Sequence, residues 1–263
     1  MPQPSPITAL NDECDSLDEH LIVLDEERWQ LPTPAPGWTI AHQVAHLAAT
    51  FRLAGLAAAD PATFRTVAAG LSSDFGANVR IAMAEYLADR PPTLLKRWQV
   101  EREAAVRALA EHPADDPVPW LVNPLPPPVL AMAGMMEAFA HGQDIADALD
   151  YQPERTGRIR YLAEFVVRTW EFGYLARGET PPPEPFRYEL TGPSGDLWTF
   201  GPDQAEQRIT GPAVDLCLLA TRRRHPADLA VRAVGPDAEH WLEIAQCYRG
   251  PAGEGRAPGQ FSR

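Results

Sequence analysis

The sequence predicts an α+β protein: an up-and-down helical bundle over residues 1–180, a small α+β domain over 186–250, and a loose tail over 251–263. Three observations predict this. Apolar residues recur at helical spacing through most of the chain up to residue 177. The stiff segment PPPEPF (181–186) then interrupts the pattern and marks a domain boundary. After it come short alternating stretches separated by Pro-Ser-Gly, the pattern of strands.

Taken in order, Leu10, Leu17, Leu21, Leu24 and Trp29 place a helix over 7–30. LPTPAPGW (31–38) is a connector, because its prolines forbid a helix. Thr39 stands where an N-cap belongs, before a helix over 40–58, and Trp38 is its hydrophobic staple. Residues 60–75 read as loop around Asp60-Pro61 and Ser72-Ser73. Helices follow over 76–89 and 93–111, the second ending at His112-Pro113. The Pro-rich stretch 115–128 leads to an Ala- and Met-rich helix over 129–149, and a further helix covers 156–177. Beyond the boundary, 186–192 and 196–202 form a hairpin and 207–210 a third strand. Helices are expected over 212–223 and 237–248, with a short strand over 229–234.

The 263 residues carry a net charge of -13, with 45% hydrophobic and 22% charged residues. That composition is globular, and the charge argues against nucleic acid and anionic membranes as partners. No run reaches the ~18 apolar residues that span a bilayer, and the N-terminus lacks the basic and apolar regions of a signal peptide. Cys14, Cys217 and Cys247 are few and far apart, which fits neither a disulfide framework nor a CxxC site, so a reducing cytoplasm is expected. Lys96 is the only lysine. With abundant arginine, alanine and proline, it associates the chain with a GC-rich, actinobacterial genome. The partner expected is a small-molecule substrate, and the protein a monomer or homodimer.

The chemistry is carried by two pairs of ligand-type residues spaced four apart, His42 with His46 and Glu137 with His141. Residues i and i+4 share a helical face, so each pair can converge on a point. Facing helices of a bundle assemble metal sites in this way, and His, His and carboxylate suit zinc or another borderline divalent ion. Glu137 stands in the apolar run AMAGMMEAFAHG, where a carboxylate is costly to bury without a partner or a metal. Spacing alone also allows Glu137 and His141 to be a solvated i,i+4 pair. Asp144, three residues after His141, is a candidate to orient it, and Gln143 and Met135 are candidates to line the site. His20, His112 and His240 read as ordinary core or boundary residues.

The segments PAPGWTIAHQVAHLAATF and MMEAFAHGQDIADAL resemble the two metal-binding elements of the DinB-like metalloenzymes, specifically the mycothiol-dependent maleylpyruvate isomerase group. The resemblance implies that His46, Glu137 and His141 hold a divalent metal, most often zinc, with nickel, iron or manganese also suited to the set. His46 is the match in the first element because it precedes Leu47, and His42 lies outside the triad as the alternative. ITGPAVDLCLLATRRR (209–224) is similar to a C-terminal helix of the group. Its arginine corresponds to Arg223, or by a slip of one residue to Arg222, and implies a clamp for a carboxylate or thiol cosubstrate. The alternative for Arg222–Arg224 is a solvated helix end, where cations suit the dipole.

The resemblance further implies mycothiol as cosubstrate. The thiol adds to an electron-poor alkene, the bond rotates, and the thiol leaves. Cys14 and Cys217 sit among core-like residues and are not placed to replace it. Expected, then, is a metal-dependent isomerase or thiol transferase acting on an electrophilic metabolite. The alternatives are a thiol-independent Lewis-acid isomerase, cyclase or hydrolase of secondary metabolism, and a non-catalytic metal-binding module.

Overall fold

The computed structural model describes residues 4–261. They form two compact units, Met1–Gln152 and Pro153–Arg263. The first is helical. It comprises α1 (Pro6–Leu21), α2 (Ile40–Ala59), α3 (Pro61–Ala69), α4 (Phe75–Leu87), α5 (Pro91–Glu111) and α6 (Pro127–Leu149). α2 is the central helix and packs on α5, α4 and α6, while α1 packs on α6 and α5.

Local chemistry sets the ends of these helices. Ser5 caps α1 through a bond from Thr8 N at 3.1 Å, with Pro6 in the first turn. α1 stops at Leu21, short of the expected residue 30, and leaves Ile22 and Val23 exposed. Trp29 is buried instead from a separate single turn, Arg28–Gln30. The stretch expected to be loop at 60–75 contains α3. Asp60 accepts from Thr63 N at 3.1 Å with Pro61 behind it, so Asp-Pro starts a helix here. Asp74 caps α4 in the same way, from Ala77 N at 2.9 Å. α5 and α6 likewise begin on their proline pairs, two residues earlier than expected.

The bundle core includes an ionic cluster. Asp18 on α1 accepts from Trp98 Nε1 at 2.6 Å, Gln99 Nε2 at 3.2 Å and Arg102 Nη2 at 2.8 Å, all on α5. Buried charge is tolerated because it is paired and hydrogen-bonded. Gly134 of α6 leaves room for Leu10, whose Cδ2 would lie 3.2 Å from an added Cβ, so α6 approaches α1 closely.

The second unit holds α7 (Arg160–Arg168), α8 (Phe172–Leu175), β1 (Arg187–Thr191), β2 (Leu197–Phe200), β3 (Arg208–Pro212), α9 (Ala213–Ala220), β4 (Arg232–Val234) and α10 (Pro236–Ile244). The sheet order is β2-β1-β3-β4, with β1 antiparallel to β2, parallel to β3, and β3 antiparallel to β4. Phe186, Tyr188, Trp198, Ile209 and Trp241 fill its core. The helix expected over 156–177 is broken: Thr169 Oγ1 donates to Phe165 O at 2.7 Å, and the chain leaves the helix there.

The units divide between Gln152 and Pro153, not in the expected proline segment at 181–186. Leu162, Phe165 and Val166 give α7 an apolar face that packs on α9 and β2, so this helix belongs with the sheet. The stretch 251–261 has no helix or strand, and side chains of its own unit contact it. Gly259 N donates to both Asp228 carboxylate oxygens, and Arg224 lies over the Phe261 ring. The last two positions of the expected tail lie outside the described residues. No helix among the described residues is long and apolar enough to cross a membrane.

Candidate metal centre

α2 and α6 pack side by side, which brings His46 from the first against Glu137 and His141 from the second. Glu137 Oε2 lies 3.4 Å from His46 Nε2 and 3.2 Å from His141 Nε2. One ligand atom from each of the three residues falls within 4.8 Å of the others. For nitrogen and oxygen ligands about 2.1 Å from a tetrahedral ion, neighbouring ligand atoms stand about 3.4 Å apart. The two Glu137–histidine separations are close to such an edge, the third is bounded at 4.8 Å, and the donor set suits a borderline divalent cation.

The trio is neither sealed nor open. Its side chains are 16%, 23% and 12% exposed for His46, Glu137 and His141. Burial pushes the Glu137 carboxyl up, but hydrogen bonds and charge from His141 and His46 outweigh it and hold it far below the usual carboxylate range. Glu137 is thus an anion at any physiological pH, the state a metal requires.

Two further residues complete the site, and sequence reasoning had given one a purely local role and missed the other. Trp38 lies over the imidazoles, with its ring stacked on His141 at 5.9 Å and tilted against His46 at 5.4 Å. A turn places it there: Trp38 N bonds to Ala35 O at 3.0 Å, with Pro36 and Gly37 between and Gly37 at φ 77. That is the Pro-Gly sequence of a type II turn, which needs a positive φ at its third residue. Trp38 is therefore a wall of the site as well as a neighbour of the helix cap. Gln43, fully buried on α2, accepts at Oε1 from His141 Nδ1. Its Nε2 donates to Thr33 Oγ1 at 2.8 Å and to Asp144 Oδ2 at 3.4 Å.

His42 is not among the converging ligands. Its Nδ1 accepts from Thr39 N at 3.3 Å and lies 2.8 Å from Thr39 Oγ1, closing a capping box at the start of α2. An Nδ1 that accepts puts the proton of neutral His42 on Nε2, which leaves no lone pair for a metal. Burial lowers the pKa of His42 and keeps it in that neutral form. Asp144 is fully buried and meets Gln43, while Gln143 Nε2 donates to Asp147 on its own helix. Met135 is buried in the bundle.

Arg222 and Arg223 follow α9, which ends before them at Ala220. Arg222 takes a left-handed backbone, φ 60, and donates from Nη2 to Gly253 O at 3.2 Å. Arg223 donates from Nη1 to Thr221 O at 2.7 Å. His20 stacks on Tyr151, and His240 pairs with Glu179 at 2.6 Å. His112 lies 3.4 Å from Asp116. The three cysteines are buried, and burial raises the Cys14 thiol well above its ordinary value.

A family model described as the mycothiol maleylpyruvate isomerase N-terminal domain matches residues 10–146, and one described as wyosine base formation matches 182–234, the span from β1 to β4. An uncharacterized protein of Mycobacterium tuberculosis, matched in two strains, is 43% identical over 97% of this chain and 100% of its own. The crystal structure of a mycothiol-dependent maleylpyruvate isomerase shares the fold, with TM-score 0.56 at 15% identity over 88% of this chain and 94% of that one. A histidine-to-alanine mutant of that enzyme matches with TM-score 0.55 at the same identity and coverage.

Proposed function

We propose, from the premise that this chain belongs to the mycothiol maleylpyruvate isomerase N-terminal domain family, that it is a divalent-metal enzyme using a low-molecular-weight thiol, mycothiol, to isomerise an electrophilic small metabolite or transfer the thiol to it. The observation that carries the metal half is the convergence of His46, Glu137 and His141, with one Glu137 oxygen 3.4 Å and 3.2 Å from the two imidazole nitrogens and all three ligand atoms within 4.8 Å. Zinc is the ion this set suits first, with nickel, iron and manganese able to serve. When bound, such an ion supplies Lewis acidity and lowers the pKa of a coordinated thiol or water.

The chain's own residues do the rest. Glu137 supplies the negative charge and the two imidazoles supply neutral donors, so three protein ligands leave a position for an exogenous group. Trp38 covers one side of the imidazoles and keeps water from that face. Arg223, or Arg222, is the clamp for a carboxylate of the substrate or of the thiol, a task for which the guanidinium fork is suited. The thiol comes from solution, since Cys14, Cys217 and Cys247 are buried. Isomerisation then follows from addition of the thiol across an electron-poor double bond, rotation about the resulting single bond, and departure of the thiol.

The test is turnover of maleylpyruvate and related electron-poor alkenes by the purified, zinc-loaded protein, with and without mycothiol. Isomerisation that requires both zinc and the thiol supports the reading. Turnover unchanged without the thiol removes the thiol half and favours Lewis-acid chemistry on a carbonyl. Stoichiometric zinc without turnover across the series favours a metal-binding module.

A further inference from the structure

We infer that Gln43 is a positioning residue that selects the metal-binding tautomer of His141, and that Asp144 and Thr33 act through it. The inference rests on the metal reading above and adds to it the device that presents one ligand. The chain of donors and acceptors leaves one consistent assignment. Thr33 Oγ1 donates its proton to Trp38 O at 3.0 Å, so toward Gln43 it can only accept. Asp144 Oδ2 accepts a second bond from the same Gln43 group. Both therefore face the amide nitrogen of Gln43, at 2.8 Å and 3.4 Å, and the amide oxygen is turned to His141 Nδ1.

An amide oxygen cannot donate, so Nδ1 of His141 carries the proton. In the neutral imidazole the lone pair then sits on Nε2, which lies 3.2 Å from Glu137 Oε2. With His141 neutral, two acceptors facing each other at that distance repel unless a cation lies between them, whereas a doubly protonated His141 donates from Nε2 to Glu137 without one. Gln43 thus converts an ambiguous His–Glu contact into a pair of ligands. The arrangement parallels the acceptors that hold the remote nitrogen of metal-bound histidines, except that here the acceptor is an amide whose own direction is fixed by two partners. Gln43 lies on α2 only three residues before His46, so one helix both contributes a ligand and orients the ligand on its neighbour.

The test reads the tautomer itself, on zinc-free protein above the imidazole titration range, by long-range proton–nitrogen correlation of His141. The wild type is expected to show the proton on Nδ1. In Gln43→Met, which keeps the volume and removes the acceptor, His141 is expected to become a mixture of tautomers. Zinc affinity by chelator competition is expected to fall about 10–100-fold, the usual cost of losing such a partner, with the one-to-one stoichiometry retained. His141→Ala is expected to lose zinc altogether.

A Gln43→Met protein with its proton still on Nδ1 and its zinc affinity unchanged overturns the inference. Should that variant not fold, Gln43→Glu decides. Its carboxylate makes a stronger bond to Nδ1, so the Nδ1 proton moves downfield, and an unmoved proton overturns the inference. A wild type that binds no zinc while showing the expected tautomer removes the metal reading and leaves the positioning role standing.

Discussion

Replacing Glu137 by Gln probes the proposed metal centre most sharply, because the change keeps the shape and removes only the charge. One oxygen of Glu137 stands within 3.4 Å of both imidazoles, so it is the shared vertex of the site. Zinc held by protein ligands releases about 10–16 kcal/mol in apparent free energy. Spread over the three ligands, the share of the single anionic one is about 4 kcal/mol, or about a thousandfold in affinity.

The consequence is visible as linkage. At a zinc concentration about a hundred times the wild-type dissociation constant, binding stabilises the folded protein by about 2.7 kcal/mol. For a protein of this size that raises the transition of the helical unit by about 5–10 °C. At the same zinc concentration Glu137→Gln is about nine-tenths empty, so its shift is below about 1 °C. Differential scanning fluorimetry with and without zinc reads the difference, and chelator competition reads the affinity directly. A variant that keeps the wild-type thermal shift, or binds zinc within about tenfold of wild type, would refute the argument that these three residues share one ion.

Two further outcomes follow from the bundle itself. Asp18→Ala removes the acceptor of Trp98 and Gln99 and one of the two carboxylates on Arg102, whose other partner, Asp15, is half exposed. Stranding buried charge and donors costs about 3–5 kcal/mol, which lowers the calorimetric midpoint by about 6–20 °C. A loss under about 2 °C would show the cluster to be dispensable.

His42 is held below its ordinary value of 6.5 by burial. Unfolded chains therefore take up its proton more readily, so its contribution to stability is intact above pH 6.5 and drains as pH falls below it. Protonation also ends its acceptance from Thr39 N. His42→Gln keeps a capping box and cannot titrate, so its midpoint is expected to decline less steeply below pH 6.5, with zinc binding kept. Parallel pH profiles, or lost zinc, would contradict the capping role.

What the sequence made legible is what depends on neighbours within one turn of helix. The i,i+4 spacing put His42, His46, Glu137 and His141 forward, the family resemblance chose His46 over His42, and the structure brings His46, Glu137 and His141 together; Thr39 marked the start of α2 at the observed residue. What it hid depends on how distant segments pack. The amphipathic face of α7 announces that it must be buried but not against what, and the answer is α9 and β2. Asp60-Pro61 carries two opposite meanings, a break and a helix start, and the bond from Thr63 N decides between them.

Gln43 is the instructive case. Its partners Thr33 and Asp144 lie 10 and 101 residues away, beyond any local pattern. Yet a signal was present. An amide inside HQVAHLAATF, between two histidines and on a largely apolar helix, cannot be buried without partners for its oxygen and nitrogen. Weighing only the residues that can bind a metal overlooks the residue that tells one of them which nitrogen to offer. In a helical metal site the neutral amide deserves the same question as the charged ligand: where, once buried, its hydrogen bonds go.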